Sequence, residues 1–332
     1  MTNPIAAAVD GGDLDALVRL VDGLASAREW ERIVELRDRC RHALERGLQL
    51  WPAAEYAEYR LALEAPGQFA GPVVTPTAGR FALGPLWEVA ASTHDWRGLV
   101  PHLPSGPARA LVAHERVLRG EDLRADASID PDVVEVPLVV APWEPQYPLA
   151  TYRASQAEFP SPPPPAMGPW KLPSGGAARG ETAAVEALLA LALPWQEQSN
   201  GRVEAIEVEG DALAAVAALE PGDVIGAAIT AAEAMAWMAW TGASGGAYAR
   251  RRGSPLGRFA AWWVVAMVCD LDWPVDGGEI GAAAGRLEWH RWEPVGATHG
   301  WSASLAVADA SKGLGWALYA VDDTRQAEAV GS

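Results

Sequence analysis

The stretch Phe259-Ala-Ala-Trp-Trp-Val-Val-Ala-Met-Val-Cys269 decides the fold of the second half of this chain. It contains no charged side chain. A helix that is apolar on every face is buried on all sides. We therefore predict a helix over Leu256–Leu271 that forms the centre of the core of the second half.

The residues that follow this helix alternate between apolar and polar side chains with the two-residue period of a β-strand. The pattern predicts strands over Leu287–Trp292, 301–307 and 314–320, and Asp309–Gly313 supplies hairpin turn residues between the last two. Each of these two strands carries a tryptophan on its apolar face. We expect an antiparallel sheet, covered on one side, whose tryptophans pack on the Phe259 helix.

Apolar residues at helical spacing predict the remaining helices. In the first half these are Asp13–Ser26, Glu29–Arg46, Ala53–Leu63, Leu86–Ala91, Trp96–Leu103 and Ala108–Arg119. In the second half they are Glu181–Leu193, Asp211–Leu219 and Val224–Trp240. Valine-rich alternation predicts strands over Val133–Val140 and Arg202–Val208.

Two segments of the first half resemble each other. Residues 25–34 and 91–100 both place an acidic residue and a tryptophan at the start of a helix. A repeat of helical hairpins buries such a tryptophan between neighbours. Chance similarity in a chain rich in alanine and arginine explains the likeness equally well, so both interpretations stay open.

A proline-rich segment separates the two halves. Prolines crowd at Pro160–Pro165, continue at Pro169 and Pro173, and are followed by Gly175 and Gly176. This composition favours an extended spacer, with a docking motif for a proline-recognition domain as the alternative. The predicted organisation is a mainly helical domain over 1–157, a linker over 158–178, an α+β domain over 179–325 and a disordered tail over 326–332.

The fold class that follows is α+β and mainly helical. The N-terminal domain consists of helical hairpins, and in the C-terminal domain buried helices pack on a small antiparallel sheet. The 332 residues suit two domains.

Composition excludes several classes of function. The net charge of -17 and the isoelectric point near 4.8 oppose binding to nucleic acid and to anionic membranes. Residues 1–10 lack a signal peptide pattern, and no clean apolar stretch reaches about 18 residues, so we expect a soluble cytoplasmic protein. Cys40 and Cys269 form no CxxC pair and are expected to be buried apolar side chains. The scarcity of lysine and the 16 tryptophans are typical of a GC-rich bacterial genome.

The segment Gly242–Ser254 is the best candidate for a binding site. Small residues let a ligand approach the backbone, and N–H and guanidinium groups bind anions such as phosphate, nucleotide or carboxylate. The segment does not match the P-loop or dinucleotide fingerprints, and a flexible connection between two buried helices is the alternative. The ligand-binding candidates here are Ser244, Tyr248, Arg250, Arg251 and Arg252.

Glu233 is a further ligand-binding candidate, because it lies among apolar residues. Burial of an unpaired carboxylate is costly and raises its pKa into a catalytic range. The alternatives are that Glu233 faces water or pairs with one of Arg250–Arg252.

Acidic residues cluster after the Phe259 helix, at 270, 272, 276 and 279. Pro274 and the missing central glycine break the EF-hand pattern, so we expect a solvated acidic turn and no metal site. The histidines form neither HxH nor HExxH, and a meeting of His290 with His299 across the sheet is the alternative to isolated positions.

The sequence contains no GxSxG elbow and no cysteine in the context of a nucleophile. The leading hypothesis is a non-catalytic interaction or scaffold protein without a cofactor, whose helical N-terminal half binds a protein partner. The alternative is a small-molecule binding protein or enzyme with an anion or nucleotide site at 242–254. A third hypothesis is a toxin or immunity-type partner whose acidity matches a basic target.

Overall fold

The computed structural model describes residues 4–75, 82–220, 222–296 and 300–322. The chain divides into unit 1, which is Met1–Val134 with Leu149–Phe159, and unit 2, which is Glu135–Pro148 with Pro160–Ser332. The sequence-based division places all of 1–157 in the first domain, whereas Glu135–Pro148 packs within unit 2. The predicted disordered tail, 326–332, lies outside the described residues.

Helices build unit 1. They are α1 (Pro4–Gly11), α2 (Leu14–Ser26), α3 (Trp30–His42), α4 (Trp51–Glu64), α5 (Gly67–Ala70), α6 (Leu86–Thr93), α7 (Trp96–Leu99) and α8 (Pro107–Leu118). Short 3₁₀ helices follow α3, α5 and α7, at Ala43–Arg46, Gly71–Val73 and Val100–His102. Strands β1 (Thr151–Tyr152) and β2 (Ala157–Glu158) pair in an antiparallel manner.

The central helix of unit 1 is α4, which packs against α2, α3, α5 and α6. All its residues from Ala57 to Leu63 are buried. Burial of a charged side chain is costly unless it is paired. Arg60 is paired with Asp22 of α2 and with Glu64, which explains how it lies inside the bundle.

The predicted repeat is matched in part by local structure. Trp30 begins α3 and Trp96 begins α7, and both indoles are buried. However, α3 has 13 residues whereas α7 has 4. The repeat therefore stays a prediction.

An antiparallel sheet organises unit 2. In chain order the elements are β3 (Gly168–Trp170), α9 (Ala183–Glu197), β4 (Arg202–Glu209), α10 (Ala212–Leu219), β5 (Val224–Ile229), α11 (Ala231–Ala243), α12 (Ser254–Val268), α13 (Gly277–Ala284), β6 (Glu288–Pro294), β7 (Trp301–Ser302), β8 (Leu305–Asp309) and β9 (Leu314–Asp322). The described strands are ordered β3-β5-β6-β8-β9-β4, and β7 pairs with β9.

Helices cover both faces of this sheet. On one face α10 packs with Trp292 and Ala317 in a single apolar cluster. On the other face α9 and α11 pack against β4 and β6. The prediction of a sheet covered on one side is wrong, because residues such as Leu305–Ala308 are apolar and buried at successive positions.

The predicted buried helix is confirmed as α12, where no residue is exposed. It packs against α9, α11 and α13. The strands over 301–321 are paired as predicted, but the expectation that the tryptophans pack on α12 is wrong for Trp301. Trp301 stacks instead on Trp240 of α11, with ring centroids 5.2 Å apart, because α9 and α11 occupy that face of the sheet.

The predicted helix over Val224–Trp240 is wrong in its first part, where β5 replaces it. This strand lies between β3 and β6, and a side chain at Gly226 would collide with the indole of Trp170. Thr230 and Glu233 then form a capping box that begins α11.

Two proline-bearing segments also differ from expectation. Val133–Val140 forms no strand, and the carbonyls of Pro137 and Val139 accept hydrogen bonds from Arg258 instead of a neighbouring strand. Within the predicted linker, β3 is an edge strand, a position that tolerates Pro169. The linker therefore contributes to the sheet of unit 2.

Candidate functional site

The predicted site loop connects α11 to α12. Ser244, the first of its ligand-binding candidates, has a structural role. Ser244 is buried, and its hydroxyl accepts hydrogen bonds from Trp195 Nε1 at 2.9 Å and from the Gly246 N–H at 3.3 Å. The helices approach closely here, since a Cβ at Gly257 would collide with a carbonyl of α11. Ser244 therefore holds an indole of α9 at the end of α11.

The remaining predicted residues of the loop differ in their surroundings. Tyr248 is exposed, and Arg251 Nη2 donates to Ser254 Oγ at 3.1 Å. Burial lowers the pKa of Arg252. A cavity of about 10 Å³ beside the loop, lined in part by Arg251 and Trp240, has the volume of about one water molecule. That cavity does not accommodate a nucleotide.

Glu233 lies at the other end of α11, in its first turn. With a rise of about 1.5 Å per residue, it is roughly 16 Å along the helix from Ser244. Its carboxylate is exposed and accepts hydrogen bonds from the Thr230 N–H at 2.7 Å and hydroxyl at 2.8 Å. The structure therefore separates Glu233 from the other candidates and makes it a helix cap facing water.

A buried carboxylate that no motif in the sequence marks also holds the loop. Asp322 has 0% exposure, and its Oδ2 accepts hydrogen bonds from Ser199 Oγ and the Ala247 N–H, both at 2.6 Å. The Tyr248 N–H in turn donates to Ser199 Oγ at 3.2 Å. No local pattern marks this contact, because its partners are separated by more than 70 residues in sequence.

Next to the loop lies a cluster of four indoles, which we call the tryptophan cluster. Its members come from α9, α11 and β7, and neighbouring ring centroids are 5.2 to 6.2 Å apart. Such edge-to-face and stacked pairs contribute about 0.5–1.5 kcal/mol beyond their burial. The residues of the tryptophan cluster are Trp195, Trp237, Trp240 and Trp301.

Arg291 of β6 lies under the tryptophan cluster and is 2% exposed. Its guanidinium carbon is 4.2 Å from the ring centroid of Trp237. Burial lowers the pKa of Arg291 to about 10, a shift that Glu293 only partly opposes. Arg291 belongs to no motif in the sequence, although its two-residue spacing from Trp289 places both side chains on the same face of β6.

A second buried arginine of unit 2 has complete partners. Arg258 of α12 binds both oxygens of Glu144, with Nε–Oε2 and Nη2–Oε1 distances of 2.7 Å. Trp262 Nε1 and the Tyr147 hydroxyl donate to the same carboxylate, at 3.0 and 2.7 Å. Burial alone raises the pKa of Glu144, but hydrogen bonds and the charge of Arg258 outweigh it and hold that pKa below the ordinary value. This pair attaches Glu135–Pro148 to α12.

Unit 1 carries a groove between α3 and α5, which both pack against α4. We call it the α3–α5 groove, and its volume is about 270 Å³. Its apolar lining residues are partly or fully accessible, and charged groups stand at its rim. The lining residues are Glu31, Val34, Arg37, Gln68, Phe69 and Pro72.

The acidic turn after α12 serves the fold. Asp276 caps α13 by accepting hydrogen bonds from its first N–H groups, and Asp270 pairs with Lys312 at 2.6 Å. Among the described residues no group of three or more His, Cys, Asp or Glu side chains is arranged to hold a metal ion. His290 contacts the ring of Trp170, and His299 lies outside the described residues.

The fold and these sites define a class: a mainly helical α+β protein whose second unit is an antiparallel sheet between helices. The chain belongs to the family of unknown function DUF6183, whose model matches residues 3–322. No curated protein and no solved structure shows a significant match to it. None of the helices in the described part of the chain is long and apolar enough to span a membrane.

Proposed function

We propose that this protein acts by binding a protein partner and not by catalysis, and that the α3–α5 groove is the docking site. The observation that carries the proposal is the groove itself, with a volume of about 270 Å³. Sites for drug-sized molecules usually have volumes of about 300–1,000 Å³. The α3–α5 groove is therefore suited to one large apolar side chain that a partner inserts.

The charged side chains at the rim of the groove predict which partner residues would flank the inserted apolar side chain. Arg37 is paired with Asp38, at an Nη2–Oδ1 distance of 2.7 Å. Glu31 is exposed and makes no ion pair with the part of the chain that the structure describes. A lysine or arginine beside the apolar anchor would meet this carboxylate. The net charge of -17 also steers a basic partner toward the protein.

Selection of peptides from a displayed random library tests this proposal. We expect the wild-type protein to select peptides with a large apolar residue adjacent to lysine or arginine. Phe69→Ala and Val34→Glu should each weaken the selected peptides by about tenfold or more, because anchor pockets contribute most of the binding energy. Leu44→Glu is the matched control, since Leu44 is 60% exposed outside the groove.

Thermal unfolding of each variant confirms that it folds before binding is measured. Equal binding by wild type, both groove variants and the control would assign the interaction to another surface. Failure to select any consensus would refute the groove as a docking site.

The small-molecule hypothesis for 242–254 is the second candidate function. It is supported by Arg252, which is half-buried and makes no ion pair with the described residues. We expect a compact anion to raise the thermal unfolding midpoint and the triple change of Arg250, Arg251 and Arg252 to Ala to abolish the effect. Absence of any stabilising anion or nucleotide would exclude this candidate.

A further inference from the structure

One edge of the sheet in unit 2 is open along part of β4. This strand is the last in the sheet order, and the described strand that pairs with it is β9. One end of its outer edge is covered, because the Arg179 N–H donates to the Glu207 carbonyl at 2.9 Å and the Glu209 N–H donates to the Ala177 carbonyl at 3.1 Å. Over 202–206, no described residue outside the sheet forms a backbone hydrogen bond with this edge.

The hydrogen bonds at the covered end show which backbone groups face outward. In an antiparallel ladder the N–H and carbonyl of one residue point to the same side, and successive residues alternate. The register of β4 with β9 is continuous from Arg202 to Glu209. Since Glu207 and Glu209 face the outer edge, Val203 and Ala205 face it as well. Such an edge is a template for pairing with another strand.

The helix beside this edge has an accessible apolar side. α9 packs on β4 and β9, and α11 and α12 lie against it. Because α11 contacts β6, toward the middle of the sheet, the accessible side of α9 lies toward the β4 edge. Glu186, Leu189, Ala190 and Leu193 follow at helical spacing on this side, and Leu193 is 40% exposed. The open edge and the helix side therefore form one continuous surface.

The charged residues on the open edge are complementary to those of a second copy. Arg202 and Glu204 flank Val203 and form an ion pair at 2.5 Å within the chain. When two copies of β4 pair in an antiparallel manner about Val203, Arg202 lies opposite the partner's Glu204, and Glu204 lies opposite the partner's Arg202. The two ion pairs then join into a network of four alternating charges. Pairing about Glu204 would oppose two carboxylates, and the covered end blocks pairing further along β4.

We propose that this chain forms a twofold-symmetric dimer in which the sheets of two copies of unit 2 join through β4. Val203 exchanges backbone hydrogen bonds with the partner's Val203. The α9 helices pack over the junction through Leu189, Ala190 and Leu193. Because α9 contacts β9 as well as β4, its axis lies inward of the edge, which leaves room for the interaxial distance of about 8–10 Å that packed helices need. A twofold interface uses the same patch on both subunits, as this one does.

The inference is independent of the α3–α5 groove, which belongs to unit 1. The competing interpretation is that Arg202 and Glu204 protect a bare edge, since charged side chains on edge strands commonly prevent such pairing. Under that interpretation the chain is a monomer.

Sedimentation equilibrium of the full chain separates the two interpretations. We expect a species of twice the monomer mass of 35.1 kDa that dissociates on dilution. The measurement uses about 0.15 M salt, because the net charge of -17 makes two copies repel each other and salt screens that repulsion beyond about 8 Å. A chain that stays a monomer from micromolar to millimolar concentration would refute the dimer.

Charge reversal tests the register. Arg202→Glu places two pairs of carboxylates opposite each other, and Glu204→Arg does the same with guanidinium groups. Each variant alone should weaken self-association by about tenfold or more. An equimolar mixture of the two variants restores both opposite-charge contacts and should dimerise like wild type. Dimers that ignore both reversals, or a mixture that stays monomeric, would refute pairing about Val203.

Ala205→Pro and Leu193→Glu test the strand and the helix separately. Proline removes the outward N–H of Ala205 without removing a hydrogen bond to β9, and edge strands tolerate it. Both variants should weaken the dimer, whereas the matched control Leu44→Glu changes a leucine of unit 1 that is 60% exposed and should dimerise like wild type. Circular dichroism checks the fold of each variant. A dimer weakened by Leu193→Glu but not by Ala205→Pro would overturn the β4 junction.

Discussion

Replacing Glu144 by glutamine removes one charge of the buried ion pair in unit 2 with little change of shape. The carboxylate accepts five hydrogen bonds, two from Arg258 and one each from Tyr147, Trp262 and the Ala141 N–H. Arg258 is 1% exposed, so glutamine leaves its charge buried without a counterion. Removal of one partner from such a pair costs about 3–5 kcal/mol.

That cost is measurable as a shift in melting temperature. For a unit of about 150–250 residues, 1 kcal/mol corresponds to about 2–4 °C, so Glu144→Gln should lower the midpoint of unit 2 by about 6–20 °C. Differential scanning calorimetry and urea unfolding measure the two quantities independently. Glu204→Gln is the control, because Glu204 (38% side-chain exposure) pairs with Arg202 (62% side-chain exposure) near the surface. This substitution should change the free energy of unfolding by less than about 1 kcal/mol.

A double-mutant cycle isolates the interaction from other effects. Arg258→Met should also be strongly destabilising, whereas Glu144→Gln combined with Arg258→Met should cost less than the sum by about 2 kcal/mol or more. Strict additivity, or a loss below about 1 kcal/mol for Glu144→Gln, would refute the assignment of this pair as the attachment of Glu135–Pro148.

The same pair predicts a pH dependence. The pKa of Glu144 is lower in the folded protein than its ordinary value, so the folded state binds fewer protons here than the unfolded state. This stabilisation is present above the ordinary carboxyl pKa and is lost as the pH falls through the folded value. We expect the difference in stability between wild type and Glu144→Gln to shrink on acidification below about pH 4.5.

Three further predictions follow from local contacts. Burial raises the pKa of Cys40 and of Cys269 to about 11, so at pH 8 only about one thiol in a thousand is ionised. A chromogenic disulfide reagent should therefore react slowly with the folded protein until guanidinium unfolds the chain. Fast labelling of the folded protein would contradict this burial. Gly257→Ala should destabilise unit 2 by about 1–3 kcal/mol in urea unfolding, because the added methyl group collides with α11. The control Gly23→Ala, in open space on α2, should stabilise the protein by about 0.5–1 kcal/mol. Equal effects of the two variants would refute the close approach of α11 and α12 at Gly257. Glu233→Ala should cost about 1 kcal/mol of stability through loss of the capping box without weakening anion binding, and a loss of binding would restore Glu233 as a ligand.

Much of the helical structure follows from local pattern. The helices around Asp13, Trp30 and Ala53 lie where apolar spacing predicts them, because one face of each helix is buried against α4 or its neighbours. The pattern failed at Val224–Ile229, where small apolar residues suit a helix and a buried strand equally well. Only the neighbouring strands β3 and β6 decide between the two.

The candidate sites were less accessible to sequence reasoning. Ser244 and Arg252 were singled out because glycine and arginine crowd together in one segment, but Arg291 and Asp322 carry no such local signal. A lone charged residue in an apolar strand is predicted to face solvent, unless the face of the sheet that carries it is known to be covered. Here α11 covers Arg291, which turns an ordinary strand position into a buried cation.

By itself the sequence determined the mainly helical α+β class, the buried α12 and the final hairpin, because periodic burial produces a pattern of apolar residues that are close in sequence. Tertiary structure alone decided which charges are paired and which are not. Glu144 meets Arg258, and Asp322 meets Ser199, across more than 100 residues of chain, while Arg291 lies over the Trp237 ring and pairs with the partly exposed Glu293. Electrostatic partners depend on distance in space, and the free energy of a buried charge depends on those partners.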